Sequence, residues 1–583
     1  MIARVTPYPR FRRAHLNLDS VKPLNFFLIV VVLVLLQFAA IYLYRWADAR
    51  NAITIAIRKR MLLWTVAIVS SSWIILYEFP AASRLSEYIK ALILYFFAPL
   101  GLVHAVFWTI EEFQDSQWYH DNFRQGEGAS ARWAGESVFR ANEMPNSWRE
   151  YESVSHPEPR IFLGRSKKRF DSRPRNVGVL SDTHMVTFGM PGAGKSVFVL
   201  YNNCSIWPGS MLVLDPKGEL ARNTISARTN HHSRCRILDP YGVEELRGHH
   251  DALKCGFNPL AEIDLKEPGA AGIINGIAEG CVIPSSDSSH SYWTEGSQLI
   301  LAGTIAHGVS ALPKNQQNLP YIADLLTVGS KADLGSLLQD MSHNDSLGGL
   351  PQKAANVILR AGDKERGSLL NELQRSLRWI SDPPMRASLE RSDFSMRELW
   401  DGEGASIYVV LPFDQTKPSS QIRWMRVLMR LGLSSVQRAK VRPDPPVLFV
   451  LDEFPALGKF DSIKKDFREL RGAGIKMWLL AQDAVGLQDL YGHTWNGFTG
   501  SSTTQVIGIN CDVTARWVSE RLGHFMKKEP GGRATSRPLM ETAEVLEFLG
   551  KSAGNQIIIP VDGAPWQLDS VNWHASRHAY RKP

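Results

Sequence analysis

The chain has 583 residues, of which 44% are hydrophobic and 21% are charged. This composition is that of an ordinary folded protein and excludes a disordered chain, and the length exceeds one hydrophobic core, so we expect about three or four domain-sized units. The net charge of +8 leans toward anionic partners, while five cysteines without a C-x-x-C pair argue against a disulfide framework or a cysteine metal site.

Three apolar stretches, at 24–44, 61–77 and 91–110, lie within the first 115 residues. The first carries no charged side chain and is long enough to cross a hydrocarbon core of about 30 Å. Basic residues at 45–60 and a basic N-terminal tail give opposite indications of orientation, so two and three spans both remain open. We predict a transmembrane anchor over 1–115 and a cytoplasmic remainder.

A phosphate-binding loop is indicated by residues 189–196, which read GMPGAGKS and directly follow an extended run at 184–188. Such a loop turns backbone N–H groups toward an anion, and the helix after it directs its positive dipole end the same way. We expect Lys195 to reach the β- and γ-phosphates of ATP and Ser196 to bind Mg²⁺. The residues predicted to form the cradle are Gly189, Gly192, Ala193, Gly194, Lys195 and Ser196.

Strand and helix signals alternate from the run at 184–188 onward. Further short apolar runs end in DPKGE at 215–219 and in DP at 239–240. Alternation of this kind predicts a parallel, doubly wound α/β sheet with its ligands at the carboxyl ends of the strands. The stretch 261–400 lacks strand-like runs and has a helical leucine periodicity, so we predict a nucleotide-binding domain at 116–260 and 401–583 with an all-α insertion at 261–400.

A second nucleotide motif follows the apolar run Val447–Leu451, which has the pattern of a strand buried on both faces. Asp452 and Glu453 come directly after it. An adjacent acid pair at the carboxyl end of a strand is typical of a Walker B site, where Asp452 would hold the Mg²⁺ shell and Glu453 would polarise the attacking water. Combined with the upstream loop, the pair predicts hydrolysis of a nucleoside triphosphate.

Two residues further on extend the predicted site. Arg471 follows a predicted helix that Gly472 and Gly474 end, and we expect it close to the carboxyl edge of the sheet. There it could neutralise charge at the nucleotide of a neighbouring subunit, although a surface cation at a helix end explains it equally well. Gln482 ends the next predicted strand and could sense the same phosphate.

Several motifs together resemble the type IV coupling proteins, the TraG/TraD-like ATPases of bacterial conjugation and type IV secretion. The resemblance covers about 128–560. It rests on SARWA (130–134), the loop at 189–196, DPKGE (215–219), FNPL (257–260), LDEFP (451–455), the spacing of Arg471 and Gly474, AQ (481–482) and RPLM (537–540).

The resemblance implies a RecA-like P-loop NTPase domain with an all-α insertion, anchored in the bacterial inner membrane by several spans and assembled as a homo-hexamer. It implies ATP and Mg²⁺ as cofactors, and the delivery of relaxase-bound single-stranded DNA or effector proteins to a type IV secretion channel. The positions that match the family's catalytic residues are Lys195, Ser196, Asp452, Glu453, Arg471 and Gln482.

Two other functions fit the same motifs. One is an FtsK/HerA-type translocase of double-stranded DNA that has no secretion partner. The other is a substrate-docking membrane receptor that uses ATP only for assembly. Basic residues after the acid pair, among them Lys459 and Lys464, suit contact with DNA phosphates, but they also suit a solvated helix face.

Overall fold

The computed structural model describes residues 131–583 apart from 155–157, 168–172, 181–182, 231–232, 284–290, 328–330, 413–417, 529–533 and 582–583. The apolar stretches at 24–44, 61–77 and 91–110 lie outside the described residues. Within the described ranges no helix has both the length and the apolar character needed to cross a bilayer. The longest helix in these ranges, Ser291–Ala311, carries the polar side chains Glu295, Gln298 and His307. A membrane span needs about 20 predominantly apolar residues. The predicted localisation as a multi-pass inner-membrane protein is therefore contradicted.

The centre of the described structure is a sheet of eleven strands, and two further strands form a separate hairpin. The strands are β1 (Arg160–Ser166), β2 (Asn176–Leu180), β3 (His184–Phe188), β4 (Met211–Leu214), β5 (Arg234–Leu238), β6 (Ala405–Val409), β7 (Val447–Leu451), β8 (Ile475–Ala481), β9 (Ser502–Ile507), β10 (His524–Lys528), β11 (Ala534–Pro538), β12 (Asn555–Ile559) and β13 (Trp566–Asp569). The order across the sheet is β2-β1-β13-β12-β9-β3-β8-β7-β4-β6-β5, with the hairpin formed by β10 and β11.

The sheet is mixed, so the predicted parallel arrangement holds for only part of it. Strands β5, β6, β4, β7, β8, β3 and β9 run parallel to one another. From β9 outward, β12, β13, β1 and β2 pair antiparallel. Antiparallel neighbours need no helical crossover, and only a short loop joins β12 to β13. The part of the sheet that carries the predicted nucleotide motifs is the parallel one.

Two hydrophobic cores cover the two faces of the sheet, which explains the unbroken apolar runs of the central strands. In β7, Phe449 and Leu451 belong to one core, whereas Leu448 and Val450 belong to the other. All five residues of this strand are buried. The end of the strand is therefore the first point at which polar side chains can meet solvent.

Helices connect the strands and form most of the segment between β5 and β6. In that segment the helix Ser291–Ala311 packs on Ser346–Arg360 and Asp363–Leu377, and the helix Ala270–Cys281 packs on Pro418–Gln437, a helix that follows β6. The predicted boundaries of an insertion at 261–400 stay a prediction. The helices are α1 (Glu136–Ala141), α2 (Trp148–Glu152), α3 (Tyr201–Ile206), α4 (Glu219–Asn230), α5 (Ala270–Cys281), α6 (Ser291–Ala311), α7 (Leu319–Thr327), α8 (Lys331–Ser342), α9 (Ser346–Arg360), α10 (Asp363–Leu377), α11 (Pro383–Leu389), α12 (Pro418–Gln437), α13 (Asp461–Leu470), α14 (Ala484–Tyr491), α15 (Asn496–Gly500), α16 (Asp512–Leu522) and α17 (Thr542–Phe548).

Candidate functional site

The glycine-rich loop lies at the carboxyl end of β3 and leads into a π-helical turn, Lys195–Leu200, that continues as α3. Gly192 and Gly194 have φ values of 73° and 85°, in the left-handed region that disfavours other residues. A Cβ atom on Gly194 would also lie 2.5 Å from the ring of Phe198. The loop conformation thus depends on glycine at both positions.

Backbone hydrogen bonds hold the loop against two neighbouring strands. The Gly189 N–H donates to the Ala481 carbonyl at the end of β8, with an N···O distance of 3.0 Å. The Met190 N–H donates to the carbonyl of Gly508, just beyond β9, also at 3.0 Å. The cradle is therefore positioned by the sheet before any ligand binds, which lowers the entropic cost of binding.

Lys195 is almost buried, with 8% of its surface exposed. Its ammonium donates to the Gly189 carbonyl at 2.6 Å and lies 3.6 Å from Oε1 of Glu453. These contacts hold the positive charge between the loop and the end of β7. Ser196, next along the chain, is half-buried at the start of the same π-helical turn.

The acid pair follows β7 as predicted. Glu453 has left-handed backbone angles, φ 56° and ψ 46°, and its Oε2 accepts a hydrogen bond of 3.2 Å from Nε2 of Gln482. Oδ1 of Asp452 is buried and has no hydrogen-bond partner in the described structure. Burial and the neighbouring Glu453 raise the pKa of Asp452 to about 6, although the charge of Lys195 acts to lower it. A shielded carboxylate oxygen without a donor fits a residue that binds a cation.

Asp215, to which the sequence assigned no role, lies beside this pair. It follows β4, whose last residue is level with the last residue of β7, so Asp215 and Asp452 end adjacent parallel strands. Oδ2 of Asp215 accepts from the Ala221 N–H at 2.8 Å, close to the start of α4. Burial raises its pKa to about 7, and Asp452 adds to the shift. An acid directly after a buried strand is the sequence signal that could have assigned it to the site.

Arg471 lies at the opposite edge of the sheet, so its predicted place near the carboxyl edge is wrong. It ends α13, which leads into the first residue of β8, and that residue is level with the first residue of β7. Its charge also contributes to lowering the pKa of His184, the first residue of β3. At about 3.3 Å per residue, the seven residues of β8 separate its two ends by roughly 20 Å.

The structure thus brings together most of the predicted site at the carboxyl ends of β3, β7 and β8. Lys195, Glu453 and Gln482 form a continuous chain of contacts there. Arg471 is separated from them. Of the basic residues considered for DNA contact, Lys464 donates to Oγ1 of Thr494 at 2.7 Å and is half-buried.

Residues 149–542 match the family model for type IV secretory system conjugative DNA transfer. Over 472 residues the chain is 26% identical to the conjugal transfer protein TraG of Escherichia coli, and the matched region covers 73% of this chain and 72% of TraG. Over 360 residues it is 25% identical to the protein VirD4 of Agrobacterium fabrum strain C58, and the matched region covers 60% of this chain and 51% of VirD4.

Solved structures of coupling proteins have a similar fold. The bacterial conjugative coupling protein TrwBdeltaN70, in an unbound form, matches with a TM-score of 0.56 at 16% identity, covering 79% of this chain and 97% of that chain. TrwB in complex with ADP and Mg²⁺ matches with a TM-score of 0.54 at 16% identity, covering 72% and 95%. The P-loop α/β fold with a large mixed sheet is confirmed. Because the family model spans well over half of the residues, the chain belongs to the type IV secretory system conjugative DNA transfer family.

Proposed function

We propose that this protein is a coupling ATPase that recruits substrate to a type IV secretion channel and uses ATP hydrolysis to transfer it. The observation that carries the proposal is the chain of contacts from Lys195 through Glu453 to Gln482 beside the shielded carboxylate of Asp452. The names of the relatives, which refer to conjugal transfer and coupling, support DNA as a substrate.

The residues of the site suit each part of a hydrolysis reaction. The backbone N–H groups of the loop and the ammonium of Lys195 bind the phosphates of ATP. Glu453 orients and polarises the attacking water, and Gln482 holds the Glu453 carboxylate in place. Asp452 and Ser196 are the residues that would hold Mg²⁺, which supplies positive charge against the phosphate oxygens.

Assembly and partners form the second part of the proposal. A homo-hexameric ring would let Arg471 of one subunit serve the nucleotide of the next, since it is too far from its own. The cargo is a relaxase-bound single strand of DNA or an effector protein. The helices between β5 and β6 form the all-α insertion domain within the nucleotide-binding domain.

The site is tested with full-length protein in which Lys195 or Asp452 is replaced by alanine. Each change removes a group that binds phosphate or the cation, so we expect ATP hydrolysis to fall by about 10²-fold or more. Substrate transfer in cells should stop while the far-ultraviolet circular dichroism spectrum is unchanged. Lys364→Ala, at an exposed lysine of α10, is the matched control and should retain hydrolysis and transfer. Normal transfer by either site variant would contradict the assignment.

The cargo is tested by the dependence of hydrolysis on added ligand. Single-stranded DNA should raise the ATPase rate of the wild-type protein. Stimulation by double-stranded DNA alone, with no secretion partner required, would favour a double-stranded DNA translocase. Hydrolysis that neither DNA nor secreted protein changes would favour a docking receptor.

A further inference from the structure

We propose that Lys551 is a second phosphate-binding lysine of the nucleotide site, supplied from the turn between α17 and β12. The inference rests on the proposed function, because it adds a contact to the same bound nucleotide. Lys551 lies 356 positions after Lys195 in the chain (551 minus 195), and no nucleotide motif includes it.

The ammonium of Lys551 lies against the glycine-rich loop. A Cβ atom placed on Gly192 would be 2.8 Å from Nζ of Lys551 and 3.1 Å from its Cε. The lysine therefore occupies the space that a side chain at position 192 would take. Gly192 is also left-handed, with φ 73°, so this part of the loop has glycine both for its backbone angles and for the approach of the lysine.

The turn that carries Lys551 is attached to the cradle through the backbone. The Ile509 N–H donates to the Leu549 carbonyl at 3.0 Å, and the neighbouring Gly508 carbonyl accepts from Met190 of the loop at 3.0 Å. A Cβ atom on Gly508 would lie 2.4 Å from Cβ of Ala193, so these two segments are in close contact. Residues 508–509 thus fix the distance between the turn and the loop.

The charge of Lys551 has no carboxylate partner within the described ranges. Lys195, by contrast, lies 3.6 Å from the carboxylate of Glu453, which offsets part of its positive charge. The phosphate chain of ADP or ATP carries several negative charges, and charge-assisted hydrogen bonds to such oxygens are among the stronger polar contacts in proteins. An unpaired ammonium beside the backbone donors of the loop suits that ligand.

The test measures binding by the full-length protein through displacement of fluorescent N-methylanthraniloyl-ADP. Competitors are ATP, ADP, inorganic pyrophosphate and adenosine. We expect Lys551→Met to weaken the binding of ATP, ADP and pyrophosphate by about tenfold, the effect of losing one charge-assisted contact made by an exposed side chain. Adenosine binding should not change, and kcat should fall by less than about threefold, because the contact is made with ground state and transition state alike. Lys551→Arg should restore most of the affinity, and Lys364→Met is the control.

The outcomes separate this inference from the proposed function. If the wild-type protein binds ATP and ADP and loses them on Lys195→Ala, but Lys551→Met binds both as tightly as wild type, Lys551 is a solvated surface lysine and the inference is overturned. An equal loss of adenosine affinity would also overturn it, since the effect would then be a distorted site. If the wild-type protein binds no nucleotide, the proposed function fails and the inference fails with it.

Discussion

At the scale of single residues, Glu453 has the least ordinary backbone in the candidate site. A residue with a side chain seldom adopts φ 56° and ψ 46°, and such a conformation costs on the order of 1–3 kcal/mol. The Ala456 N–H, in the following 3₁₀ turn, donates to the Glu453 carbonyl at 2.8 Å and helps to hold this conformation. The conformation aims the carboxylate between Lys195 and Gln482.

Glu453→Gln should separate nucleotide binding from hydrolysis. The amide keeps the shape of the side chain and an oxygen that can accept from Gln482, but it loses the charge that orients water. We expect ATP affinity within about threefold of wild type and a kcat lower by about 10²-fold or more, the usual contribution of general-base catalysis. Equilibrium binding and steady-state hydrolysis measure the two quantities. Loss of ATP binding would mean that Glu453 has a structural role.

At the scale of elements, His184 joins β3 to β8 and α13. His184 is 2% exposed. Its Nε2 donates to the Phe467 carbonyl of α13 at 2.5 Å, and its Nδ1 accepts from the Met477 N–H of β8 at 3.1 Å. Both ring nitrogens are used only if the imidazole is neutral. Burial lowers the pKa of His184 to about 4. The hydrogen bond to the Phe467 carbonyl acts to raise it, whereas the positive charges of Lys476 and Arg471 lower it further.

The stability of the protein should therefore depend on pH through this residue. The folded pKa of about 4 lies below the unfolded value of 6.5, so the unfolded state binds more protons between them. Stability is fully present above about pH 6.5 and is lost as the pH falls toward 4, at about 1.4 kcal/mol per unit of pKa difference. Urea unfolding at pH 7.5 and pH 5 measures the loss.

His184→Gln is the variant for this test, because it removes the titrating ring and leaves every other ionisable group in place. It should be less stable than wild type at pH 7.5 yet lose less stability between pH 7.5 and pH 5. The difference between the two proteins isolates His184 from the buried acids Asp215 and Asp452, which both proteins share. An equal pH dependence in wild type and variant would rule out His184 as the source.

The central strands and the two nucleotide motifs were predictable because their local patterns are strong. Strands β3 and β7 are short apolar runs that end in a glycine-rich loop or an acid pair, and each was predicted with its observed bounds. Strands β1 and β13 were missed, since they carry Arg160, Arg165 and Asp569 and their pairing joins segments about 400 residues apart in sequence. Lys551 was missed for the same reason: its neighbour in space, Gly192, is far away in the chain.

The error over Arg471 came from ignoring strand direction. In a parallel sheet each crossover helix returns from the carboxyl edge to the amino edge, so the last residue of a helix lies beside the start of the next strand. The Gly474 N–H donates to the Arg471 carbonyl, and the Val447 N–H at the start of β7 donates to the Gly474 carbonyl. The hydrogen bonds thus place Arg471 at the amino edge, an inference that the sequence alone would have allowed.

At the scale of the whole molecule, the residues predicted to serve one reaction lie at two opposite edges of the sheet. The phosphate cradle and the acid pair lie at the carboxyl edge, whereas Arg471 lies at the amino edge and is exposed. A side chain about 7 Å long cannot cross the roughly 20 Å of β8 to reach its own nucleotide. If Arg471 acts in catalysis, it must act on another subunit, which requires an assembly that brings the amino edge of one subunit to the carboxyl edge of the next.

Arg471→Ala should therefore bind ATP normally and hydrolyse it slowly, since an arginine that acts in trans contributes on the order of 10³-fold or more in rate. Lys195→Ala subunits have a defective cradle but an intact Arg471. Mixing the two variants in equal amounts pairs an intact cradle with an intact arginine at about one interface in four, so roughly a quarter of the wild-type rate should return if interfaces act independently. A mixture of Arg471→Ala with the double variant Lys195→Ala/Arg471→Ala offers no such interface and should stay inactive. If the first mixture is as inactive as the second while mass spectrometry detects mixed assemblies, Arg471 does not act in trans, and its distance from its own nucleotide then leaves it only a structural role at the end of α13.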